Sequence, residues 1–511
     1  MMHSLRKLLG LVFMGVPSFG PRKHRLRSAA MWWEDAVVYQ VYPRSFQDSD
    51  GDGVGDLAGI AARLDHVGAL GVDALWLSPV YPSPLADFGY DITDHTAIDP
   101  VYGTLDDFDS LVTEAHARGL RLLMDLVPCH TSIEHPWFRE HPDWYIWADG
   151  DEPPNNWIAT FGGPAWTRDE RTGRWYLHSF YPAQPDLNWR NPEVVAAMQQ
   201  VVRFWLGRGV DGFRIDAIDR LLKDPDLRDD PPAGGPPALP LPEEYATLEH
   251  LHSVNAPDIE TALGALREAA GDAFLVGEVY LPTAGLAPYL RHLDAVFCFE
   301  LLHAPPDART LRAVLEAAME LDAPAWVLSN HDFGRLATHF GHERERVAML
   351  LLLTLPGVAF VYQGDEIGMS EGPGHDPPLD RAGRDRARHP MQWDGTSLGG
   401  FTSGQPWLPV VDAPARNVAA QARDPNSLLS LARAAIALRR ELTGGARFLD
   451  AADDVLAFRR RSGHVVALNL AGEPRPAPPA GQLRLATHGE SGGRAPETLG
   501  PYQGFVAHPA R

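Results

Sequence analysis

Three acidic residues, Asp216, Glu278 and Asp332, each stand at the end of an apolar run that we expect to be a buried strand. In a parallel barrel the carboxyl ends of the strands meet at one rim, so these side chains should lie together. Carboxylates gathered in a partly dry site raise one another's pKa and cost stability, which favours a functional reason for their presence. Cleavage of a glycosidic bond requires one ionised carboxylate and one protonated carboxylic acid, and a third acid can stabilise the transition state.

The residues around two of these acids indicate different protonation states. Arg214 lies two positions before Asp216, and its fixed positive charge should keep that carboxylate ionised and nucleophilic. Glu278 lies among valines, and we expect it to hold a proton once a sugar displaces water from the site. Further polar residues that end apolar runs are Asp125, His130 and His331.

The segments that must position these residues alternate between apolar runs and helical patterns, which is typical of parallel α/β folds. Eight runs rich in Val, Leu, Ile and Phe cover residues 37–46, 74–80, 120–127, 212–218, 274–279, 295–301, 325–328 and 358–362. Eight strand–helix repeats predict a closed (β/α)₈ TIM barrel, with a doubly wound open sheet as the alternative. The predicted helices 57–70, 106–118 and 192–206 each end next to glycine.

Two long segments interrupt or follow these repeats, and they define the expected domains. The barrel is predicted over residues 31–130 and 192–442. Residues 131–191 are rich in Trp, Pro, Gly and Asp, and the segment is too long for an ordinary loop. It therefore predicts a small domain inserted after the third strand. A second insert, 369–426, follows the eighth strand. Residues 443–511 alternate apolar and polar positions, which predicts a C-terminal antiparallel β domain.

The composition excludes several classes of protein. With 67 Asp and Glu against 45 Lys and Arg, the net charge of -22 disfavours nucleic acid and anionic membranes as partners. No apolar run after residue 30 reaches the ~20 residues of a membrane span. Residues 1–30 join an apolar stretch to a basic cluster and are expected to be a disordered extension, with a secretory signal as the alternative. The cysteines Cys129 and Cys298 predict no disulfide framework, and we expect a cytoplasmic monomer or homodimer.

Four segments resemble, in order and spacing, the four motifs of the α-amylase family: DLVPCH at 125–130, GFRIDAID at 212–219, GEV at 277–279 and SNHD at 329–332. A fifth, QPDLN at 184–188, is similar to the motif of the oligo-1,6-glucosidase and α-glucosidase branch. The resemblance covers nearly the whole barrel. It implies that Asp216 is the nucleophile of a retaining glycoside hydrolase, Glu278 the general acid/base and Asp332 the transition-state stabiliser. It also implies that three further residues hold sugar hydroxyls, namely His130, Arg214 and His331.

Further resemblances narrow the expected specificity. The segment DFGY at 87–90 resembles a motif in which Tyr90 would stack under the terminal glucose and Asp87 would bind its outer hydroxyls. Arg388, in RHPMQW at 388–393, resembles the arginine that pairs with that aspartate, which implies a closed pocket that releases single glucose units. The small Ala217 after the nucleophile favours α-1,4 bonds, so the expected substrate is a small α-glucoside such as maltose.

A glycine-rich loop carries carboxylates at alternate positions, the arrangement that a hard cation requires of oxygen ligands. It resembles the calcium site after the first strand of oligo-1,6-glucosidases. The implied ligands of a structural Ca²⁺ are the side chains of four residues and the carbonyl of a fifth: Asp48, Asp50, Asp52, Asp56 and Val54. The alternative is a solvated acidic turn in which Asp56 caps the following helix. No organic cofactor is expected.

Two positions depart from the family pattern. Cys129 stands where the family usually has Asn, which puts the hydrogen bonding of His130 in doubt, and Phe333 and Gly334 follow Asp332 where a proline commonly precedes the arginine.

The same residues leave three alternative functions open. An oligo-1,6-glucosidase and a trehalose-forming or transglycosylating isomerase would use the same acids. A non-catalytic barrel associated with a membrane transporter is the remote alternative, because such proteins usually lose these acids and carry a membrane span.

Overall fold

Eight short parallel strands close into a barrel. The computed structural model describes residues 31–321, 323–489 and 492–509. The barrel strands are Val37–Val41, Ala74–Leu77, Arg121–Leu126, Gly212–Ile215, Phe274–Gly277, Ala295–Phe297, Pro324–Val327 and Val358–Tyr362. The first strand pairs with the second, Val38 opposite Ala74, and with the eighth, Val37 opposite Ala359, so the ring has no free edge. The predicted closed barrel is confirmed, and the open sheet is excluded.

These segments form strands because both of their faces are covered. Along the first two strands every residue is buried, which explains why their sequences are continuous apolar runs rather than alternating patterns. The α-helices have the following bounds: Leu57–Ala62, Leu64–Leu70, Leu105–Ala117, Pro136–Glu140, Pro192–Gly207, Glu260–Ala270, Phe299–His303, Ala308–Ala318, Leu336–Phe340, Glu345–Thr354, Val418–Gln421 and Leu428–Arg439. The single helix predicted over 57–70 is two helices, because Arg63 leaves the helical region with φ -107° and ψ 2°.

Several predicted runs leave the barrel earlier than expected. The run 37–46 ends at Val41, and Pro43–Ser45 forms a 3-10 turn, since proline has no amide proton to continue a strand ladder. The run 212–218 ends at Ile215, and Ala217 adopts a left-handed backbone with φ 44°. The run 295–301 ends at Phe297 and continues into the helix Phe299–His303. Because these strands end early, the polar residues that follow them lie at the rim of the barrel.

The insertion and the C-terminal region each form antiparallel sheets. The segment 131–191 contains three short strands, Trp147–Ala148, Trp166–Arg168 and Trp175–Leu177, with the third strand in the centre. The C-terminal region contains a five-stranded sheet in the order Ala446–Phe448, Val455–Arg460, Val465–Asn469, Gly504–Ala507 and Leu483–Ala486. Strands Arg475–Pro476 and Thr498–Leu499 form a separate pair. The predicted C-terminal antiparallel β region is confirmed, and the bounds of the inserted domain stay a prediction.

The remaining expectations concern cysteines and termini. Cys129 and Cys298 are buried and free, so the prediction of no disulfide between them is confirmed. They follow the third and sixth barrel strands. Within the described ranges, every helix is too short or too polar to traverse a lipid bilayer. The disordered extension expected for residues 1–30 lies outside the described residues.

Candidate active site

The acids Asp216, Glu278 and Asp332 all emerge from the carboxyl ends of barrel strands. Asp216 and Glu278 follow the fourth and fifth strands directly. The backbone amide of each residue donates to the last residue of the adjacent strand that comes earlier in the chain. The Asp216 amide donates to the Leu126 carbonyl at 2.8 Å, and the Glu278 amide donates to the Ile215 carbonyl at 2.9 Å. The strand ladder therefore continues for one more residue and fixes where the two carboxylates begin.

One guanidinium group holds three carboxylates together. Arg214 Nη1 lies 2.8 Å from Asp125 Oδ1 and 2.6 Å from Asp216 Oδ1, and its Nη2 lies 2.8 Å from Glu278 Oε2. The arginine side chain is 1% exposed and lies 5.2 Å from the centre of the Trp76 ring. Because one positive charge cannot balance three buried negative charges, the cluster must bind protons near neutral pH.

The pKa values of this cluster rise because of burial. Burial raises the pKa of Asp216 to about 7, against the lowering effect of Arg214 and with a further increase from Asp125. Burial and the charges of Asp216 and Asp332 raise the pKa of Glu278 to about 8. The expectation that Arg214 keeps Asp216 ionised must therefore be corrected, since burial outweighs the guanidinium. The pKa values of Asp216, Glu278 and Asp125 all lie well above the ordinary carboxyl range, so at neutral pH the cluster as a whole holds protons.

Asp332 has the opposite electrostatic surroundings. Its Oδ1 accepts hydrogen bonds from Arg384 Nη1 and from Arg388 Nη2, both at 3.0 Å, and its Oδ2 lies 3.2 Å from His331 Nε2. Burial alone would raise the pKa of Asp332, but His331 and the two arginines hold it well below the ordinary range. Asp332 is therefore ionised at neutral pH.

The predicted partner of Asp87 is wrong. Arg388 donates instead to the His331 carbonyl at 2.8 Å and to Asp332, while Arg384 Nη2 forms the ion pair with Asp87 Oδ1. The motifs in the sequence did not identify Arg384, although it lies one turn before Arg388 in the same arginine-rich segment. Asp380, also missed, holds Arg384 in place with an Oδ1 to Nη2 distance of 2.6 Å. Arg384 thus joins Asp87 to Asp332 across the site.

Tyr90 and His331 form the floor of the site. Their rings stack at 5.6 Å with an interplanar angle of 12°, and the Tyr90 hydroxyl lies 2.6 Å from His331 Nε2. The same hydroxyl donates to Asp125 Oδ2 at 3.1 Å, and Gln40 Nε2 lies 2.8 Å from His331 Nδ1. Burial lowers the pKa of His331 to about 3, so the ring is neutral. Burial also lowers the pKa of His130, whose Nε2 lies 3.1 Å from the Tyr90 carbonyl.

Ala217 and the two departures from the family pattern lie beside these groups. The Ala217 amide donates to Glu278 Oε2 at 3.2 Å, so its left-handed backbone helps to position that carboxyl. Phe333 stacks on Tyr280 with ring centres 6.0 Å apart and an angle of 11°. The Cys129 thiol contacts the Arg220 carbonyl at 3.5 Å, whereas His130 Nε2 takes its contacts from Tyr90 and Gln184.

The glycine-rich loop brings three of its five expected calcium ligands together. Carboxylate oxygens of Asp48, Asp50 and Asp52 lie within 4.8 Å of one another, which fits a hard cation. The carboxylate of Asp56 lies outside this group and caps the helix Leu57–Ala62, accepting the Gly59 amide at 2.7 Å. The capping alternative for Asp56 is therefore observed, while roles for Asp56 and the Val54 carbonyl in binding an ion stay predictions.

Comparison with known proteins agrees with this geometry. The alpha amylase catalytic domain matches residues 40–444. An alpha-glucosidase of Culex pipiens is 40% identical over 430 residues, which are 78% of this chain and 73% of that protein. An oligo-1,6-glucosidase of Parageobacillus thermoglucosidasius is 40% identical over 479 residues, 80% of this chain and 84% of that protein. The solved structure of XgtA, an alpha-glucosyl transfer enzyme, matches with a TM-score of 0.86 and 39% identity, covering 94% of this chain and 100% of that chain. The suspected resemblance is confirmed, and the chain belongs to the alpha amylase catalytic domain family.

Proposed function

We propose that this enzyme is a retaining, exo-acting α-glucosidase that releases glucose from the non-reducing end of short α-glucosides. The observation that carries the proposal is the contact of Asp216 and Glu278 with the same Arg214 guanidinium, at 2.6 Å and 2.8 Å. A hydrogen bond between the two carboxyls also raises the pKa of Glu278. In an inverting enzyme a water molecule must fit between the second carboxylate and the anomeric carbon, so two carboxyls that share one guanidinium group favour a retaining mechanism.

The proposed reaction has two steps. Ionised Asp216 attacks the anomeric carbon while protonated Glu278 gives its proton to the leaving oxygen, so the glycosidic bond breaks and a glucosyl–Asp216 ester forms. Glu278, now ionised, then takes a proton from a water molecule that attacks the same carbon and releases Asp216. The ionised Asp332 stabilises the positive charge that develops on the sugar ring in both transition states.

The closed side of the site supports attack at chain ends. Arg384 bridges Asp87 and Asp332, and Gln184 donates to Asp87 Oδ2 at 2.9 Å, so charged and polar groups cover the end beyond the expected terminal glucose. A chain of sugars could not continue through this network. The substrate we propose is therefore a small α-glucoside whose terminal residue fits between Tyr90 and the arginine.

The preference for α-1,4 bonds is part of the proposal and depends on Ala217. Its backbone amide donates to Glu278 Oε2 at 3.2 Å, and we expect its small methyl group to face the leaving group. Replacement of Ala217 by Val should crowd that side and raise the ratio of kcat/KM for isomaltose to that for maltose. An unchanged ratio would contradict the proposal that Ala217 determines the preference for α-1,4 bonds.

Transfer of glucose to an acceptor other than water is the second candidate. The similarity to the alpha-glucosyl transfer enzyme XgtA favours it, as does the half-buried Phe333–Tyr280 stack beside Asp332 and Glu278. Incubation with maltose distinguishes the two, because hydrolysis yields glucose alone whereas transfer yields trehalose or longer glucosides.

The central experiment compares rates on maltose, isomaltose, sucrose and a chromogenic α-glucoside for the enzyme and its Asp216→Asn and Glu278→Gln variants. We expect Asp216→Asn to lower kcat on every α-glucoside by roughly 10⁴-fold or more, since no nucleophile remains. Asp94→Asn, at an exposed loop position, is the matched control and should retain full activity. Intact turnover by Asp216→Asn would exclude the proposed mechanism.

We also propose that the loop 48–56 binds a structural Ca²⁺. The supporting observation is the grouping of the Asp48, Asp50 and Asp52 carboxylates within 4.8 Å, far along the chain from the acids that act on the sugar. The ion would supply charge compensation for these carboxylates and no chemistry of bond cleavage.

A further inference from the structure

A tyrosine hydroxyl that the proposed reaction does not use lies beside the closed end of the candidate active site. Tyr181 belongs to the inserted segment, three residues before Gln184. Its hydroxyl oxygen is buried and has no hydrogen-bond partner among the residues that the structure describes. Because a buried hydroxyl without a partner costs free energy, a ligand that supplies the missing hydrogen bond would bind favourably there.

Gln184 ties the backbone of Tyr181 to the carboxylate that is expected to bind glucose. The Tyr181 amide donates to Gln184 Oε1 at 3.2 Å, and the Gln184 amide donates to the Tyr181 carbonyl at 2.8 Å. Gln184 Nε2 in turn donates to Asp87 Oδ2 at 2.9 Å. One side chain therefore fixes the backbone of Tyr181 with respect to the group expected to bind the outer hydroxyls of the terminal glucose.

The Tyr181 ring is held by an aromatic ring and an arginine. It stacks on Phe161 with ring centres 4.6 Å apart and an angle of 26°. The guanidinium carbon of Arg381 lies 5.8 Å from the centre of the Tyr181 ring, and that of Arg384 lies 5.5 Å from the centre of the Phe161 ring. Two arginines of the late insert thus contact two rings of the inserted segment. These contacts restrict the tyrosine ring and so fix the position of its hydroxyl.

The charged groups near this hydroxyl already have partners of their own. Burial raises the pKa of Tyr181. The charges of Asp87 and Asp380 raise this pKa further and that of Arg384 lowers it, so the hydroxyl lies near all three. Arg384 donates to Asp87 Oδ1 and, from Nε at 2.9 Å, to Asp380 Oδ2, while Gln184 occupies Asp87 Oδ2. The tyrosine hydroxyl therefore keeps its own donor and acceptor for a ligand.

We propose that Tyr181 is a substrate-binding residue whose hydroxyl forms a hydrogen bond with a glucose hydroxyl remote from the anomeric carbon, on C4 or C6. A sugar hydroxyl both donates and accepts, as the tyrosine hydroxyl does, so the two groups match. The inference rests on the proposed function, because that function places the anomeric carbon at Asp216 and the far side of the ring at Asp87. It adds a group that distinguishes glucose from sugars in which that hydroxyl is missing or inverted.

Deoxy substrates test this hydrogen bond directly. The measured quantity is kcat/KM for a nitrophenyl α-glucoside and for its analogues that lack the hydroxyl on C4 or on C6, with the full-length enzyme and its Tyr181→Phe variant. This substitution keeps the ring that stacks on Phe161 and removes only the oxygen. We expect Tyr181→Phe to lower kcat/KM for the glucoside about tenfold, and to have little effect on the analogue that lacks the partner hydroxyl.

A control variant and the pattern across the three substrates decide the assignment. Tyr502→Phe removes a half-buried tyrosine hydroxyl from the C-terminal region and should leave all three values unchanged. An unaltered kcat/KM for the glucoside in Tyr181→Phe overturns the inference, and so does an equal loss on all three substrates, which would indicate a structural role. Failure of the proposed function looks different, because the unmodified enzyme would then release no nitrophenol from the glucoside, and both proposals would fall.

Discussion

At the scale of single residues, the distribution of positive charge decides the protonation of the acids. Three carboxylates contact the single guanidinium group of Arg214, whereas Asp332 contacts two guanidinium groups, those of Arg384 and Arg388. The first arrangement leaves a proton on the cluster, and the second keeps Asp332 ionised. The chemical difference between Glu278 and Asp332 therefore arises from their neighbours and not from their own side chains.

The first prediction concerns the pH dependence of kcat/KM. The proposed mechanism requires ionised Asp216 and protonated Glu278. It should therefore fall as pH drops through the Asp216 pKa of about 7 and fall again as pH rises through the Glu278 pKa of about 8. Both limbs lie above the ordinary carboxyl range, so the profile of maltose hydrolysis should be a narrow bell with its maximum between them.

A variant can assign the alkaline limb. Glu278→Gln has no proton to lose, so with an aryl α-glucoside whose leaving group needs no acid, the rate of phenol release should become independent of pH on the alkaline side. Asp94→Asn should retain both limbs. An alkaline limb that survives in Glu278→Gln would show that another group titrates there.

The second prediction concerns the ion pair that replaces the expected one. Because Arg384 and not Arg388 pairs with Asp87, the substitutions Asp87→Asn and Arg384→Gln should couple by about 1–3 kcal/mol in kcat/KM for maltose. Asp87→Asn and Arg388→Gln should couple less, although both arginines also contact Asp332. A larger coupling for Arg388 would restore the pairing expected from the sequence.

At the scale of secondary structure elements, the sequence predicted where the strands lie but not the residues at which they end. Apolar runs mark all eight barrel strands because both faces of each strand are covered. The same run continues past the strand end at Ile215 and at Phe297, since the residues that follow are buried too. Burial and strand conformation are separate properties, and an apolar pattern reports only the first.

The third prediction concerns the helix Leu105–Ala117. Its Thr104 cap accepts the Asp107 amide at 3.2 Å, and Asp107 accepts the Thr104 amide at 2.8 Å, which forms a reciprocal capping box. Thr104→Ala should lower the free energy of unfolding by about 1 kcal/mol, measured by urea denaturation, and leave kcat unchanged. Thr104→Ser retains the hydroxyl and should lose much less. Equal losses for the two variants would mean that the cap contributes nothing.

At the scale of the whole molecule, the site joins segments that are far apart in the chain. The motifs identified the acids at the strand ends, and the structure brings Asp216, Glu278 and Asp332 to one rim. They did not identify which arginine faces Asp87, because Arg384 reaches the site from the insert that follows the eighth strand. A side chain delivered by a long irregular segment has no periodic pattern, so its contacts depend on tertiary packing.

The fourth prediction tests the proposed Ca²⁺. The loop 48–56 also ties the first barrel strand to the late insert, through the Asp48 amide to the Phe401 carbonyl and the Trp407 amide to the Gly53 carbonyl, both at 3.0 Å. Chelation should therefore lower Tm by about 3–5 °C, and added Ca²⁺ should restore it. Asp50→Asn should abolish this response, whereas the exposed Asp106→Asn should keep it. An identical Tm with and without Ca²⁺ would contradict the proposal.

The closure of the barrel by its first and last strands has a consequence for synthesis of the protein. Because Val37 finds its partner in Ala359, a chain growing on the ribosome exposes an apolar strand edge until the eighth strand has left the exit tunnel. Shorter nascent chains cannot complete the ring and are candidates for chaperone capture or aggregation. Truncated messenger RNAs that lack the codons of the eighth strand should therefore yield insoluble or degraded polypeptide rather than partly active enzyme.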